Sequence, residues 1–282
     1  MRSIRLKAGT IHYEASGPEG GRPVVFVHGY AMGSSLWRPL SERLASRGWR
    51  CLAPTWPLGA QTEPMQEGAD LTMEGMAGMV GEFLEVLGLE SAVLVGNDTG
   101  GAIAQIVATS TPARLGGLVL TSCDAFEHFP PPVLKPLIAA AKLPPVFRVA
   151  LLPLRTRLGR KQAYGKLAHA DIDGLAAEWT RPALGDRRIR EDLRRFTASM
   201  QRQSMVRAGE RLHEFAKPAL VAWSANDAFF PLEDGRRLAA ALPSSRLEII
   251  EDARTFSMID QPDLLANLIA ELPEASPGGH AG

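Results

Sequence analysis

Asp98 is the residue of this chain whose surroundings most clearly suggest chemistry. It stands in the stretch LVGNDTGG, two positions after Gly96 and two before Gly100. A strand that passes into a helix through so tight a turn leaves no room for a Cβ at either flanking position. The turn would lift the carboxylate beside the free N–H groups of the next helix, which stabilise negative charge. We expect Asp98 to act as a nucleophile or a base; the alternative is an aspartate that only caps the helix.

Four other stretches hold residues that could complete a site around Asp98, and each follows an apolar run typical of a buried strand. They are FVHGY at residues 26–30, TSCDAFEHFPP at 121–131, WSANDAFFP at 223–231 and ARTFSMIDQP at 253–262. Because parallel strands present functional residues at their carboxyl ends, we expect these stretches to meet at one edge of a sheet. Asp124 and Asp227 are the candidate acids.

Strand-like and helix-like runs alternate along most of the chain. Two amphipathic runs at the start, SIRLKAG and TIHYEASG, predict an antiparallel hairpin. Continuous apolar runs such as PVVFVHG and SAVLVGN alternate with helical patterns of about 10 to 15 residues, which indicates a parallel sheet. The prediction is an α/β fold with a mostly parallel, eight-stranded sheet flanked by helices.

The alternation stops near residue 127 and resumes with PALVAWSAND. We predict a core at residues 1–126 and 201–273, an all-helical cap at 127–200 inserted after the sixth strand, and a disordered tail at 274–282 that is rich in proline and glycine. Residues 130–215 hold 17 basic and eight acidic side chains. Solvated helix faces explain this excess; a lid that attracts anions or a partner is the alternative.

Composition places the chain among ordinary globular proteins. Lysine plus arginine equals aspartate plus glutamate at 31 each, which gives no indication of nucleic-acid or membrane binding. The two cysteines, Cys51 and Cys123, lie in apolar runs and are expected to be buried thiols. With no apolar signal core at the N-terminus and no run long enough to span a bilayer, we expect a cytoplasmic protein. The expected partner is a small-molecule substrate, because of the chemistry suggested for Asp98. No metal or cofactor motif is found, and the oligomeric state is not predicted.

These motifs, in this order, resemble the α/β-hydrolase fold family over nearly the whole chain. With aspartate at position 98, the chain resembles the branch of this family that contains haloalkane dehalogenases, epoxide hydrolases and haloacetate dehalogenases. The resemblance implies an oxyanion hole formed by the backbone N–H groups of Tyr30 and Thr99. It also implies that Asp227 is the acid of a catalytic triad, with Asp124 as a competing acid position, and that the triad histidine position holds Thr255.

Other residues fit the family pattern less closely. Haloalkane dehalogenases commonly place a tryptophan after the nucleophile, where this chain has Thr99, and epoxide hydrolases use two lid tyrosines, where the insert has only Tyr164. Tyr30 could serve as a second acid, and His28 is expected to brace its loop. The side chains expected around the substrate pocket are His28, Trp56, Asn97, Asp124, Tyr164, Trp179 and Phe256.

The absent histidine leaves three hypotheses open. In the branch that the chain resembles, the aspartate forms an alkyl ester with the substrate, and a histidine-activated water then hydrolyses that ester. Threonine cannot be the base near neutral pH, so the first hypothesis is a hydrolase with a displaced base or slow turnover. The second is a cofactor-free lyase or isomerase with Asp98 as general base, and the third is a binding protein that has lost catalysis.

Overall fold

A computed structural model describes residues 1–274 of the 282-residue chain. The strands are β1 Arg2–Leu6, β2 Gly9–Ser16, β3 Pro23–Val27, β4 Arg50–Pro54, β5 Ala92–Asp98, β6 Leu115–Cys123, β7 Ala219–Ser224 and β8 Ser245–Ile250. They form one sheet in the order β1-β2-β4-β3-β5-β6-β7-β8. β1 and β2 pair as an antiparallel hairpin and β2 is antiparallel to β4, whereas the other pairs are parallel. The predicted eight-stranded, mostly parallel sheet is confirmed.

Helices cover both faces of this sheet. They are α1 Arg38–Ala45, α2 Met73–Val86, α3 Thr99–Ser110, α4 Lys135–Ala141, α5 Pro144–Leu151, α6 Arg157–Tyr164, α7 Asp173–Gly185, α8 Arg187–Ser199, α9 Arg202–Arg211, α10 Leu232–Ala241, α11 Ser257–Asp260 and α12 Pro262–Ala270. Residues of α2, α3 and α10 share one apolar core with one face of the sheet, and residues of α1 and α12 share a second core with the other face. The central strands are therefore buried on both sides, which is why they read as continuous apolar runs.

The chain between β6 and β7, all of it described, contains helices and turns but no strand. Helices α4, α5, α7 and α8 form a small apolar core of their own around Phe147, Leu151 and Leu193. This helical cap is joined to the sheet domain by apolar packing, in which Phe196 and Trp179 belong to the two cores of the sheet, and by polar contacts. Trp179 Nε1 donates to Ser35 Oγ at 2.8 Å, and Asp192 Oδ2 accepts the backbone N–H of Met65 at 2.8 Å. The next helix, α9, packs against α3 of the core.

Three smaller predictions can be placed on this architecture. Cys51 and Cys123 are both buried free thiols, as expected. The predicted disordered tail lies outside the described residues, apart from Glu274. Within residues 1–274, no helix combines the length and the apolar character needed to cross a membrane.

Candidate active site

The strand-to-helix turn predicted from the two glycines is present. β5 ends at Asp98 and α3 begins at Thr99, and Asp98 has the unusual backbone angles φ 55° and ψ −135°. A Cβ on Gly96 would lie 2.6 Å from the carbonyl oxygen of Gly100, and one on Gly100 would lie 2.1 Å from that of Val27. Neither position tolerates a side chain. Backbone strain of this kind is costly and is typically retained at functional sites.

Two backbone amides hold one oxygen of the Asp98 carboxylate. Oδ1 accepts the N–H of Thr99 at 2.6 Å and the N–H of Tyr30 at 3.1 Å. The loop after β3 can approach this closely because residue 29 is glycine: a Cβ there would lie 2.2 Å from Asp98 Oδ1. The two amides expected to form the oxyanion hole therefore converge on the carboxylate.

His28 holds the same loop in place through hydrogen bonds of both ring nitrogens. Its Nε2 accepts the backbone N–H of Trp56 at 2.8 Å, so the proton of the neutral ring is on Nδ1, which donates to the carbonyl oxygen of Gly29 at 3.0 Å. The ring is fully buried, and burial lowers the pKa of His28 to about 4. A neutral imidazole with both nitrogens engaged is suited to holding the loop and not to exchanging protons.

A cavity of about 480 Å³ lies between the cap and the sheet domain, with Asp98 and Thr99 in its wall. Most of its wall is apolar, contributed by Leu134, Leu137, Leu151, Leu154, Leu167, Ala183, Leu184, Leu193, Phe229 and Phe230. Among the described residues, none of the side chains around it is a lysine, arginine or histidine. The basic side chains of the insert lie instead at exposed or partly exposed positions. Solvated helix faces therefore explain the positive charge better than a cavity built for anions.

Two tyrosines also face this cavity. The hydroxyl of Tyr30 lies 2.7 Å from Thr197 Oγ1, and that of Tyr164 donates to the carbonyl oxygen of Ala31 at 2.9 Å. Burial raises the pKa of both phenols above the ordinary value. Both therefore remain neutral O–H groups. Each already donates its proton within the protein, Tyr164 to Ala31 and Tyr30 to Thr197 Oγ1, whose own proton goes to the carbonyl oxygen of Leu193.

Asp227 and Thr255 lie next to each other, and neither belongs to the wall of the cavity. Asp227 Oδ1 accepts the backbone N–H groups of Phe229 and Phe230 at 2.8 and 2.9 Å. Asp227 Oδ2 and Thr255 Oγ1 are buried, and neither has a well-formed hydrogen bond to a described residue. Burial raises the pKa of Asp227, and the nearby hydroxyl of Thr255 partly opposes this effect. The predicted acid and the predicted histidine position are therefore adjacent, and a threonine occupies the second of them.

Asn97 fixes the position of the Thr255 loop. Its Nδ2 donates to the carbonyl oxygens of Thr121, Ser122 and Thr255 at 3.2, 3.1 and 2.9 Å. The side chain thus ties the end of β6 to the segment that follows β8. This role is structural and explains why Asn97 does not reach the cavity.

Thr99 lies between Asp98 and Asp124 and contacts both carboxyl groups. Asp124 Oδ2 accepts the Thr99 hydroxyl at 2.9 Å, and Asp124 is 3% exposed. Burial, followed by the negative charge of Asp98, raises the pKa of Asp124 well above the ordinary value. Asp124 faces a second cavity of about 750 Å³ and not the one that contains Asp98.

The expected pocket residues divide into two groups. Tyr164 and Trp179 line the cavity, together with Tyr30, Asp98 and Thr99. The structure places His28, Trp56, Asn97, Asp124 and Phe256 behind that wall, which differs from the expectation. Each packs in the second layer: Trp56 Nε1, for example, donates to the carbonyl oxygen of Phe26, and Phe256 packs edge-on against Trp179 at 6.1 Å.

Several wall residues had no signal in the sequence. Phe229 and Phe230 follow Asp227 and were visible only as part of its motif, although both face the cavity. The leucines of the cap follow a helical period, which is the same pattern that a core-facing helix would show. Thr197, the partner of Tyr30, carries no pattern that distinguishes it from other helical threonines.

Comparison with known proteins agrees with this fold. Residues 22–262 match the α/β hydrolase fold family. The chain belongs to this family. It is 26% identical over 283 residues to a 2-hydroxy-6-oxononadienedioate/2-hydroxy-6-oxononatrienedioate hydrolase of Pseudomonas putida, covering 96% of this chain and 95% of the relative. It is 29% identical over 279 residues to haloalkane dehalogenase 2 of Mycobacterium bovis, covering 93% and 91%.

Solved structures show the same architecture. An α/β hydrolase fold protein from Burkholderia ambifaria superposes on this α/β hydrolase with a TM-score of 0.79 at 21% identity, covering 95% of this chain and 96% of the other. The predicted fold and the assignment to enzymes of the hydrolase superfamily are confirmed. The role of each site residue stays a prediction.

Proposed function

We propose that this α/β hydrolase attacks an uncharged, apolar organic electrophile with the carboxylate of Asp98 and forms an ester on that side chain. The observation that carries the proposal is the pair of amides on Asp98 Oδ1, from Thr99 at 2.6 Å and Tyr30 at 3.1 Å. Because Oδ1 is held by both amides, Oδ2 is the oxygen that is left to attack a molecule in the cavity. A fixed carboxylate beside an apolar wall is a suitable nucleophile for carbon.

The same amides also suit the second step. After attack by Oδ2, Oδ1 becomes the carbonyl oxygen of the ester, and it already lies within hydrogen-bond distance of both N–H groups. When water adds to the ester, negative charge develops on Oδ1, where those donors stabilise it. The geometry therefore serves both formation and hydrolysis of an Asp98 ester.

The wall of the cavity supports an uncharged substrate. A carboxylate bound there would lose its hydration without gaining a cationic partner, since no lysine, arginine or histidine of residues 1–274 lines the cavity. The substrates of the dioate hydrolases among the relatives carry two carboxylates by name, and this cavity offers nothing to pair with them. A leaving oxygen, such as that of an opened epoxide, would accept a proton from Tyr30 or Tyr164 only in exchange for the present acceptor, which is Thr197 Oγ1 or the carbonyl oxygen of Ala31.

Turnover depends on a base, and no histidine within residues 1–274 faces Asp98 in the cavity. His128 is half exposed and its Nδ1 lies 2.7 Å from Asp234 Oδ2, while His169 and His213 are exposed. A positioned general base contributes roughly 10² to 10⁴ in rate. We therefore expect the ester on Asp98 to persist longer than in an enzyme that has the triad histidine.

Intact-protein mass spectrometry tests the proposal directly. The wild-type protein is incubated with styrene oxide and, separately, with 1-bromohexane, and any adduct is located by peptide mapping. We expect a single adduct at Asp98 with at least one of them, and none in Asp98→Asn, which retains the shape of the side chain without its charge. Consumption of either compound by the wild-type protein without any adduct at Asp98, even on rapid quenching, would contradict the proposal.

One observation favours a second candidate, in which Asp98 is a general base. Burial in the apolar site raises the pKa of Asp98, although the two amides oppose this effect. A carboxylate with a raised pKa accepts protons more readily and needs no histidine for an elimination or an isomerisation. This candidate predicts substrate conversion that depends on Asp98 but leaves the protein mass unchanged throughout.

A further inference from the structure

Asp124 is a buried carboxyl group that the proposed reaction has not yet used. It is linked to the nucleophile through Thr99, whose backbone N–H donates to Asp98 Oδ1 and whose hydroxyl donates to Asp124 Oδ2 at 2.9 Å. Thr99 Oγ1 is also close enough to the Asp98 carboxylate to lower its pKa. One threonine therefore contacts both carboxyl groups.

Asp124 also faces its own cavity. This second cavity, of about 750 Å³, lies beside the substrate cavity and shares Pro131, Val133, Phe229 and Phe230 with its wall. Among the described residues, the substrate cavity has one acidic side chain, Asp98, and no basic one. The second cavity is bordered by several titratable groups, namely Asp124, Glu127, His128, Lys135, Arg202 and Asp234. Protons and water can thus approach Asp124 without passing through the apolar substrate cavity.

The charge states of the two carboxyl groups depend on each other. Asp98 has two N–H donors to stabilise its charge, whereas Asp124 has one hydroxyl, so the first negative charge of the pair resides on Asp98. Burial and, after it, that charge keep the pKa of Asp124 high. When Asp98 becomes a neutral ester, burial remains but the repulsion disappears. The pKa of Asp124 therefore falls, and Asp124 releases its proton towards the polar cavity more readily than before.

We propose that Asp124 acts through the Thr99 hydroxyl as the proton acceptor for hydrolysis of the Asp98 ester, the step for which this chain has no histidine. This inference rests on the proposed function, since it requires that an ester forms on Asp98. It makes Thr99 the group that contacts the attacking water and Asp124 the residue that acts behind it.

The bonds and protons balance over one cycle. In the first step, Asp98 Oδ2 bonds to the substrate carbon as the bond to the leaving group breaks, and Asp124 loses its proton to solvent or to the leaving oxygen. In the second step, water oxygen bonds to Asp98 Cγ. One water proton replaces the Thr99 proton that passes to Asp124, the Cγ–O bond to the substrate breaks, and the other water proton ends on the product alcohol. Asp98 is again a carboxylate and Asp124 is again protonated.

Several charged groups surround Asp124 and will shape its titration. Asp98 at the end of β5 and Asp234 on α10 both raise the pKa of Asp124 by their negative charge. The polar cavity adds Glu127 and His128 from the segment after β6, Lys135 from α4 and Arg202 from α9. His128 and Asp234 are paired with each other, so they contribute mainly as one unit.

The test follows the decay of the ester after excess styrene oxide is removed, by intact mass at several pH values. Wild-type decay is expected to slow at acidic pH, because Asp124 must be ionised to accept a proton. In Asp124→Asn the adduct should still form, decay at least about 100-fold more slowly and lose this acidic limb. Asp124→Glu should restore part of the rate and of the pH dependence, which a purely structural role would not predict.

Thr99 provides a second pair of variants that does not alter Asp124. Thr99→Val keeps the shape and the backbone N–H but removes the hydroxyl, and it should trap the ester as Asp124→Asn does. Thr99→Ser keeps a hydroxyl and should decay faster than Thr99→Val by at least about 10-fold. Asp263→Asn, which alters an exposed carboxylate that pairs with Arg43, controls for the loss of any one acid.

The outcomes separate this inference from the function beneath it. If the wild-type ester forms and decays, and Asp124→Asn decays equally fast with an unchanged pH profile, Asp124 is not the acceptor while Asp98 remains the nucleophile. The same conclusion follows if only Asp227→Asn traps the ester. If no ester forms on wild-type Asp98, both the proposed function and this inference are wrong.

Discussion

The backbone N–H of Tyr30 lies 3.1 Å from Oδ1 of Asp98, although 68 residues separate the two positions. The sheet brings them together, because β3 and β5 are adjacent and parallel. Tyr30 lies in the loop after β3, and Asp98 is the last residue of β5. The donor is a backbone group on a loop that His28 holds from below. It therefore needs little rearrangement when charge develops on Oδ1, which is the condition under which such donors assist a reaction most.

Isotope labelling should show that water attacks the protein and not the substrate. In a single turnover with excess enzyme in H₂¹⁸O, we expect the product to contain no ¹⁸O and the label to appear in Asp98. The oxygen of the product then comes from Asp98 Oδ2, since water adds to Cγ of the ester. Mass spectrometry of the product and of the peptide that contains Asp98 measures both. Label in the product of the first turnover would instead support Asp98 as a base that activates water.

Restoring a histidine at position 255 should accelerate hydrolysis. Asp227 Oδ2 is buried without a well-formed hydrogen bond to a described residue, directly beside Thr255. An imidazole in Thr255→His could donate to that oxygen and serve as a base, which is worth roughly 10² or more in the rate of ester decay. The rate is measured by the decay of the Asp98 adduct.

The matched control for this variant removes the acid. In the double variant Thr255→His, Asp227→Asn the imidazole loses the carboxylate that would stabilise its charged form, so most of the gain should disappear. Thr255 is fully buried, and the larger side chain will cost roughly 1 to 3 kcal/mol of stability by overpacking. A folded Thr255→His protein with unchanged ester decay would show that the space around Asp98 no longer admits a base from that position.

The sequence was sufficient for the fold and for the groups that depend on the backbone. Gly96 and Gly100 predicted the turn at Asp98 because steric exclusion at a tight turn is a local property. The two amides were expected from the resemblance to the α/β-hydrolase fold family. The cavity wall could not be predicted in this way, because leucines such as Leu137 and Leu154 show the same period whether they face a core or a cavity. The link from Thr99 to Asp124 also needed coordinates, since it joins residues 25 positions apart.

His28 should make the protein sensitive to mild acid. Its pKa is about 4 in the folded protein and about 6.5 when unfolded, so the unfolded chain binds more protons between these values. Stability is therefore full above pH 6.5 and is lost as pH falls towards 4, by up to about 3 kcal/mol from this residue. Urea unfolding across this range measures the loss.

Two variants isolate the contribution of His28 to that loss. His28→Gln should be less stable than the wild type at pH 7, by roughly 1 to 3 kcal/mol, because the amide cannot reproduce both hydrogen bonds of the imidazole. Because glutamine cannot be protonated, the loss of stability of this variant in acid should be less steep. His213→Gln, at an exposed position, should leave the loss as steep as in the wild type. An equally steep loss in His28→Gln would assign the pH dependence to other groups.

Substrate charge should matter more than substrate size within the limits of the cavity. Styrene oxide and its 4-carboxylate differ by one anionic group, and the described part of the cavity wall contains no cation to pair with it. Because burying an unpaired carboxylate costs several kcal/mol, we expect the second-order rate constant of adduct formation to be at least about 100-fold lower for the carboxylate than for styrene oxide.

Leu154→Arg places a cation in a partly exposed part of the wall and should narrow that difference by raising the rate of adduct formation with the anionic substrate. Leu154→Met is the matched control for altered packing, and it should leave the preference unchanged. Equal rates for the two substrates in the wild-type protein would mean that the charged group stays in solvent, and the substrate would then enter the cavity only in part.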